Sequence, residues 1–455
     1  MVFKRSGSSY IGIRRILLLG TWLFCLSPHL YAQNNNGAEE SLTLKQCIEY
    51  AMKHQPMLNQ AQINISITRL SNAIALSGWL PQVNFSAGVV HYEELPTTFV
   101  PNPAGGAPTQ EQSGIVNTSI PGLSVTQAIF SPALLYAAKS APLYVQGTKL
   151  ITDSSKINLV ASVSKAFYNL LLTIEQIGII KEDTIRLSKN YTDAYHQYVG
   201  GIVDETDYEE AAITLNNSKA QLKQAIENVV PQYANLKLLM GYPPEKQFNI
   251  SFDTLEMMRD INYDTTRQLK YENRIEYQQF AVSRELQDRL INYYRLSFLP
   301  TISAYYNYNY EFENNTFSNL YVAAYPNSVL GLSLTLPIFT GFARLENVRK
   351  AKLQRDIIDW GGVELKSQIY LEYTTALAGY KSNLYNLYIL QKNVTMAKRV
   401  YYVVDLQYKQ GIVPYLNVIT AESNLITSEV GYTNALFQTL SSKIDLEKAM
   451  GEIAY

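Results

Sequence analysis

The chain writes one short stretch twice. Residues 122–137 read GLSVTQAIFSPALLYA and residues 331–346 read GLSLTLPIFTGFARLE. Gly, Leu, Ser, Thr, Ile and Phe recur at matching offsets, from Gly122/Gly331 to Phe130/Phe339. Each copy begins with strand-like alternation and opens into a segment of helical periodicity. Gly122 and Gly331 therefore mark two strand-to-helix junctions, 209 residues apart. The repetition continues beyond the motif. Gly201-Ile202-Val203 returns as Gly411-Ile412-Val413, Met240-Gly241 as Met450-Gly451, and Leu80-Pro81 as Leu299-Pro300. A repeat of about 210 residues that fills the chain means one pseudo-symmetric domain built from a duplicated unit.

The N-terminus reads as an export signal over residues 1–32. Lys4, Arg5, Arg14 and Arg15 precede an apolar run, Ile16 to Leu26, too short to span a bilayer, and cleavage is expected after Ala32. Phe24 before Cys25 is too bulky for a lipidation site. Removing the signal takes the formal charge from −1 to about −5, which argues against nucleic acid or an anionic surface as partner. Cys47 is then the one cysteine left, so no intrachain disulfide is expected. No later stretch reads as a transmembrane helix, which leaves a β-barrel as the route into a membrane.

The first repeat is read as residues 33–241. Its helix is expected from Ser41 to Gly78 without a break, capped by Ser41 or Thr43 and stopped by Leu80-Pro81. A β-hairpin follows over 82–128, with Val83, Phe85, Ala87 and Val89 on one face. The span from Glu94 to Gly114 holds four Pro and three Gly and reads as a long exposed loop. A helix from Pro132 to Val199 follows. It carries Val160, Val163, Phe167, Leu170, Ile174 and Ile177 at the 3-4 spacing of helices packed side by side. Gly200-Gly201 ends it, and a return helix runs to Met240.

Residues 242–266 separate the copies. The second repeat, 267–455, repeats the plan: a helix, a hairpin over 301–339, a long helix from about Phe342 to Tyr408, and a return helix ending at Met450. Ile302, Ala304, Tyr306, Tyr308 and Tyr310 share one strand face, and Ser303, Asn307 and Asn309 the other. In each copy the two short helices together match the long one. Laid end to end they make columns of equal length, about 100 Å at ~1.5 Å per residue, which can stand as staves of a tube. Four strands cannot close a membrane barrel, so the chain must oligomerise if they enter lipid.

These features together resemble the TolC-type outer-membrane efflux proteins. The resemblance rests on the duplicated GLS-x-T-x-x-IF stretch, the Leu-Pro pairs before the strands, the Gly-Ile-Val tips and Asn273-Arg274-Ile275-Glu276. It implies a mainly α fold with a membrane β part: a homotrimer whose twelve-strand barrel continues as a long periplasmic α-helical barrel. It implies an outer-membrane location in a Gram-negative bacterium, reaching into the periplasm. The implied partners are outer-membrane lipid, a periplasmic adaptor (membrane fusion) protein and an inner-membrane pump, proton-driven or ATP-driven. The chain would then be a passive exit duct for small molecules such as drugs and toxic compounds. Type I protein secretion is the alternative cargo, and a non-transporting periplasmic coiled-coil scaffold is the alternative class.

By the family pattern the periplasmic gate would hold Thr206 and Asp207 with Asp204 nearby, and Tyr408, Asn417 and Thr420 in the second copy. The tips Gly201, Ile202, Val203, Gly411, Ile412 and Val413 would meet the adaptor. Asn417 and Thr420 stand where a family member carries acidic residues, and Val413 where it carries a basic one. The resemblance therefore implies a polar gate with Asp207 as its main charge, three copies of which would repel one another and draw cations. Asp204, Thr206 and Asp207 are also the residues expected to cap a return helix. No catalytic, cofactor or metal constellation appears. The four His are scattered, no HExxH or phosphate loop is present, and Cys47 sits on an apolar helix face.

Overall fold

A computed structural model describes residues 41–101, 103, 105–252, 257 and 261–455. The expected signal, 1–32, lies outside the described residues.

The first repeat opens with a two-residue strand, β1 (Ser41–Leu42), and helix α1 (Leu44–His54). Of the two capping candidates, Thr43 acts. Gln46 N–H donates to Thr43 Oγ1 at 3.3 Å, and Thr43 N–H donates to Gln46 Oε1 at 2.8 Å. The unbroken helix expected over 41–78 is interrupted. α2 (Pro56–Leu76) starts anew after Gln55, which is extended at φ −65°, ψ 119°. Pro56 has no N–H to donate backwards and disfavours helical geometry in the residue before it.

Strands β2 (Gln82–Ser86) and β3 (Val89–His91) follow. The span 94–114, expected as a plain loop, carries a small antiparallel hairpin, β4 (Thr97–Val100) with β5 (Thr109–Gln112). Thr97-Thr98 and Phe99-Val100 are β-branched or aromatic, so the prolines and glycines fall at its ends and turn rather than throughout. β6 (Asn117–Ser119) and β7 (Gly122–Phe130) return. α3 (Pro132–Val199) then runs 68 residues through Pro142, and α4 (Glu205–Met240) comes back.

In the inter-repeat segment, β8 (Asn249–Ile250) pairs in parallel with β1. The second repeat supplies α5 (Ile275–Leu296), β9 (Thr301–Asn314), β10 (Tyr325–Thr335), α6 (Ala343–Lys409) and α7 (Tyr415–Met450). Its first helix starts later than expected, after a short 3₁₀ turn at Tyr271–Asn273. Its last strand ends at Thr335, because Pro337 cannot donate to a ladder.

Apart from the β1/β8 pair and the β4–β5 hairpin, the strands form one antiparallel sheet. β2/β3 pairs with β7/β6, which pairs with β9, which pairs with β10. Register decides which residues share a face. Val83, Val125, Tyr306 and Leu330 stand opposite one another in one row, and Phe85, Leu123, Tyr308 and Ser328 in another. The rows between them read Asn84–Ser124–Asn307–Val329 and Ser86–Gly122–Asn309–Asn327. One face is therefore apolar and aromatic, the other largely Asn and Ser. Among the described residues the apolar face has little packed on it: Phe85 is 71 % exposed and Leu332 73 %.

The helices make a wall four columns wide. α3 packs on α2 and α4 at one side and on α5 and α7 at the other, and α6 packs on α5 and α7. The short helices stack end to end, as their lengths predict. The two stacking points match across the duplication. Gly241 (φ +66°) and Gly451 (φ +71°) cap α4 and α7 in left-handed geometry. Gln55 Nε2 donates to Leu238 O and Leu239 O, at 3.3 and 3.2 Å, and Arg274 Nη1 donates to Ala449 O at 2.9 Å. In each copy a side chain at the foot of one helix thus satisfies carbonyls that the end of the other leaves unpaired. The seam along α3 is buried where it was expected: Val163 and Leu170 are fully enclosed and Phe167 is 2 % exposed. Each contributes about 1.5–3 kcal/mol by burial. Cys47 packs in the same core, where burial pushes its thiol up to about 12. One window of α3 is long and apolar enough to cross a membrane, contrary to the sequence expectation. It is 56 % buried, which marks it as wall core.

Candidate functional site: strands, joints and helix tips

Gly122 and Gly331, expected at the strand-to-helix joints, stand within strands. Gly122 opens β7 and Gly331 lies inside β10. Their lack of a side chain serves the polar face of the sheet. A Cβ on Gly122 would come within 2.1 Å of Asn309 Oδ1, and one on Gly331 within 2.5 Å of the Tyr305 ring. The joints themselves differ between the copies. Ser131 caps α3 directly, its Oγ accepting from Leu134 N–H at 3.5 Å. The second copy needs the irregular run 336–342, in which Gly341 and Phe342 both take positive φ, 58° and 66°. A left-handed non-glycine costs roughly 1–2 kcal/mol, and the Phe339 ring packed edge-on at 5.5 Å accompanies it here.

At the opposite end the two helical hairpins close in the same way. Ile202 N–H donates to Gln197 O and Gly201 N–H to Tyr198 O, both at 2.9 Å. Ile412 N–H donates to Gln407 O at 2.9 Å and Gly411 N–H to Tyr408 O at 2.8 Å. Both are paired Schellman closures with a left-handed glycine, Gly201 and Gly411 each at φ +70°. Ile202 and Ile412 are left 76 % and 69 % exposed, and Val203 and Val413 half-buried. Asp204 caps α4, its Oδ1 accepting from Glu205 N–H at 2.6 Å. Thr206, Asn417 and Thr420 are exposed, and Thr420 Oγ1 donates back to Leu416 O.

Asp207 and Tyr408 come together. Tyr408 OH donates to Gln197 Oε1 at 2.8 Å, which ties the foot of α6 to the foot of α3. Burial, then the negative charges of Asp207 and Asp193, raise the Tyr408 hydroxyl above its ordinary range. The ring lies 5.3 Å from that of Tyr415, in a tyrosine-rich cluster with Ala194, Ala211 and Val418. The predicted residues Tyr408 and Asp207 thus share one environment, whereas Asn417 and Thr420 do not join it.

Sequence reasoning missed a buried polar network just above this cluster. Glu422 on α7 is 2 % exposed and Asp183 on α3 is 3 % exposed. Arg186 Nε donates to Glu422 Oε1 at 3.3 Å and its Nη2 to Asp183 Oδ1 at 3.4 Å. Asn190 donates to the second oxygen of Glu422, and Ser218 on α4 to the second oxygen of Asp183 at 3.0 Å. Two carboxylates share one guanidinium. Burial, reinforced by the Asp183 charge, raises Glu422 to about 7, and burial also raises Asp183. A signal was present in the sequence. Tyr415, Val418, Glu422 and Leu425 follow 3-4-3 spacing, so Glu422 is a charge in an otherwise apolar seam. Among the described residues no cluster of three or more His, Cys, Asp or Glu could hold a metal.

An exposed apolar sheet face over a polar one, continued by a wall of columns about 100 Å long, defines a channel-forming protein of the outer membrane. The chain belongs to the outer membrane efflux protein family, whose model matches residues 47–242 and 267–452, one segment per repeat. The family is one of channels, not of enzymes, and places the chain in the outer membrane with its helices in the periplasm. Similar solved structures share the fold at low identity. They include VceC from Vibrio cholerae (TM-score 0.70, 15 % identity, 90 % of this chain and 96 % of that one). The outer membrane channel CmeC of Campylobacter jejuni is also similar (0.70, 18 %, 90 % and 85 %). So is the open-state MtrE channel of Neisseria gonorrhoeae (0.68, 19 %, 90 % and 88 %). No curated protein matches the chain significantly.

Proposed function

We propose that three copies of the chain close into a passive exit duct. It would pass small molecules outward from a periplasmic adaptor protein and an inner-membrane pump. The observation that carries this is a pair of matching open edges. Among the described residues the outer edges of β2 and β10 have no partner strand, which lipid does not tolerate. The helical wall is open at the same two sides. On α2, Ile63, Ile67, Leu70 and Ile74 form a 4-3-4 seam, each more than half exposed, and on α6 Leu353, Ile357 and Trp360 form another. Counted from the helix ends next to the sheet, the α2 seam lies within about four turns and the α6 seam within about five, so one copy's α2 edge can meet the next copy's α6 edge while β2 meets β10. Three four-strand sheets make a twelve-strand barrel, above the eight that small barrels need. The Asn and Ser rows would line the lumen, and Val83, Phe85, Leu332 and Tyr306 would face lipid.

The helix tips would form the gate. Tyr408–Gln197 and Arg186–Glu422 tie the second hairpin to the first, so hairpins that part at the tip must break these bonds. Asp207, beside Tyr408, is the gate's principal charge in this reading, and the exposed Ile202 and Ile412 are where an adaptor would touch. Cysteines at Ile67 and Ile357, oxidised in intact cells, test the assembly. A covalent trimer ladder supports it, and monomer alone refutes it.

A further inference from the structure

A second polar site lies at the other end of the wall. The first turns of α3 and the last turns of α5 enclose a cleft of about 330 Å³, lined by Tyr136, Lys139, Arg289, Asn292, Tyr293 and Arg295 among others. Three cations meet one carboxylate there. Arg289 Nη2 is held by Glu285 Oε1 at 2.8 Å, but Arg289 Nε is buried without a partner. Arg295 reaches only Asn292 Oδ1, at 3.5 Å, and Lys139 makes no ion pair among the described residues. The nearby Asp288 is already taken by Arg355 at 2.8 Å. The Tyr136 and Tyr293 rings, 5.5 Å apart, form an apolar wall.

The level of this cleft in the fold indicates what fills it. β7 ends at Phe130 and α3 begins at Pro132, while α5 ends at Leu296 and β9 begins at Thr301. Lys139 is about 10 Å along α3 at ~1.5 Å per residue and, on a helix that starts at the sheet, leans toward the membrane, while Arg295 stands one residue before the sheet-side end of α5. A bilayer's headgroup layer adds roughly 5–8 Å beyond its hydrocarbon. Ile338 and Phe339, 90 % and 74 % exposed at the neighbouring joint, carry apolar surface down to the same border. The cleft also lies between the inner columns of the wall, away from the α2 and α6 edges, so an assembly closed through those edges leaves it open.

We infer that this cleft binds the phosphate of an anionic phospholipid of the inner leaflet. Arg289 and Arg295 are placed to donate to phosphate oxygens, Lys139 to supply charge, and the tyrosines to cover the glycerol. The inference rests on the outer-membrane location and not on the gate. The full-length protein in detergent, with phosphatidylglycerol, phosphatidylcholine or inorganic phosphate added, is measured by native mass spectrometry. One phosphatidylglycerol retained per chain, preferred over phosphatidylcholine and reduced roughly tenfold in K139Q/R295Q, is the expected result. Equal retention by the variant overturns the site. Displacement by millimolar inorganic phosphate, with no preference between the lipids, overturns the lipid as its occupant. The same spectra report assembly mass. Should the double variant not assemble, K139Q alone, exposed and unpaired, makes the same comparison, with K352Q on α6 as the control expected to bind normally.

Discussion

Arg186 on α3 reaches Glu422 on α7 at 3.3 Å while also holding Asp183 on its own helix, so a single guanidinium serves two buried carboxyls. The network joins three helices, one of them from the other repeat.

This makes stability pH-dependent in a defined direction. Glu422 binds its proton at about 7 when folded, against an ordinary 4.5. Between those values the folded state holds more protons, so stability falls as pH rises, by up to roughly 1.4 kcal/mol per pH unit. Thermal melts of the purified protein are expected to show a higher Tm at pH 5.5 than at pH 8. E422Q should flatten that difference, and R186Q, which leaves two buried carboxyls unpaired, should steepen it.

The left-handed glycines that close helices α3, α4, α6 and α7 should respond differently to alanine. Gly201 and Gly411 have nothing within 4 Å of a built Cβ, so the cost is that of the backbone alone, about 1 kcal/mol each. At Gly241 and Gly451 the Cβ meets His54 O at 2.7 Å and Asn273 O at 2.6 Å, both backbone atoms that cannot swing aside. G241A and G451A are expected to cost about 2 kcal/mol or more beyond the tip variants, read as loss of Tm and of assembled protein.

Tyr408 can be tested without altering packing. Y408F removes one hydrogen bond, to Gln197, worth about 1 kcal/mol, and keeps the ring against Tyr415. Under the gate reading the variant should open more often in single-channel records. An unchanged open fraction would remove this bond from the gate.

Asp207 makes a separate prediction. D207A should weaken block of the channel by multivalent cations added from the periplasmic side, because it removes three charges from one constriction of the proposed trimer. Asp204, bound to the start of α4, should matter less to block and more to stability, with D204A costing about 1 kcal/mol.

The long elements were legible because their signals are long. The bounds of α3 follow from Ser131-Pro132 and Gly200-Gly201, and strand alternation sorted Tyr306 and Asn307 onto opposite faces. What escaped depends on contacts between segments far apart in the chain. Gln55 reads as mid-helix and Arg274 only as part of a family motif until the ends of α4 and α7 arrive beside them. The role of Gly122 is set by Asn309, on the other repeat's strand. Glu422 was readable as a misplaced charge, but its partners on α3 lie more than 230 residues away. The β4–β5 hairpin was hidden by prolines that mark its boundaries.

Conductance across a planar lipid bilayer tests the central claim most directly. Purified full-length protein added to one side is predicted to give discrete, long-lived single-channel steps, with cross-linked trimer carrying the activity. Absence of any step from folded, trimeric protein, in wild type and in Y408F alike, would contradict the duct.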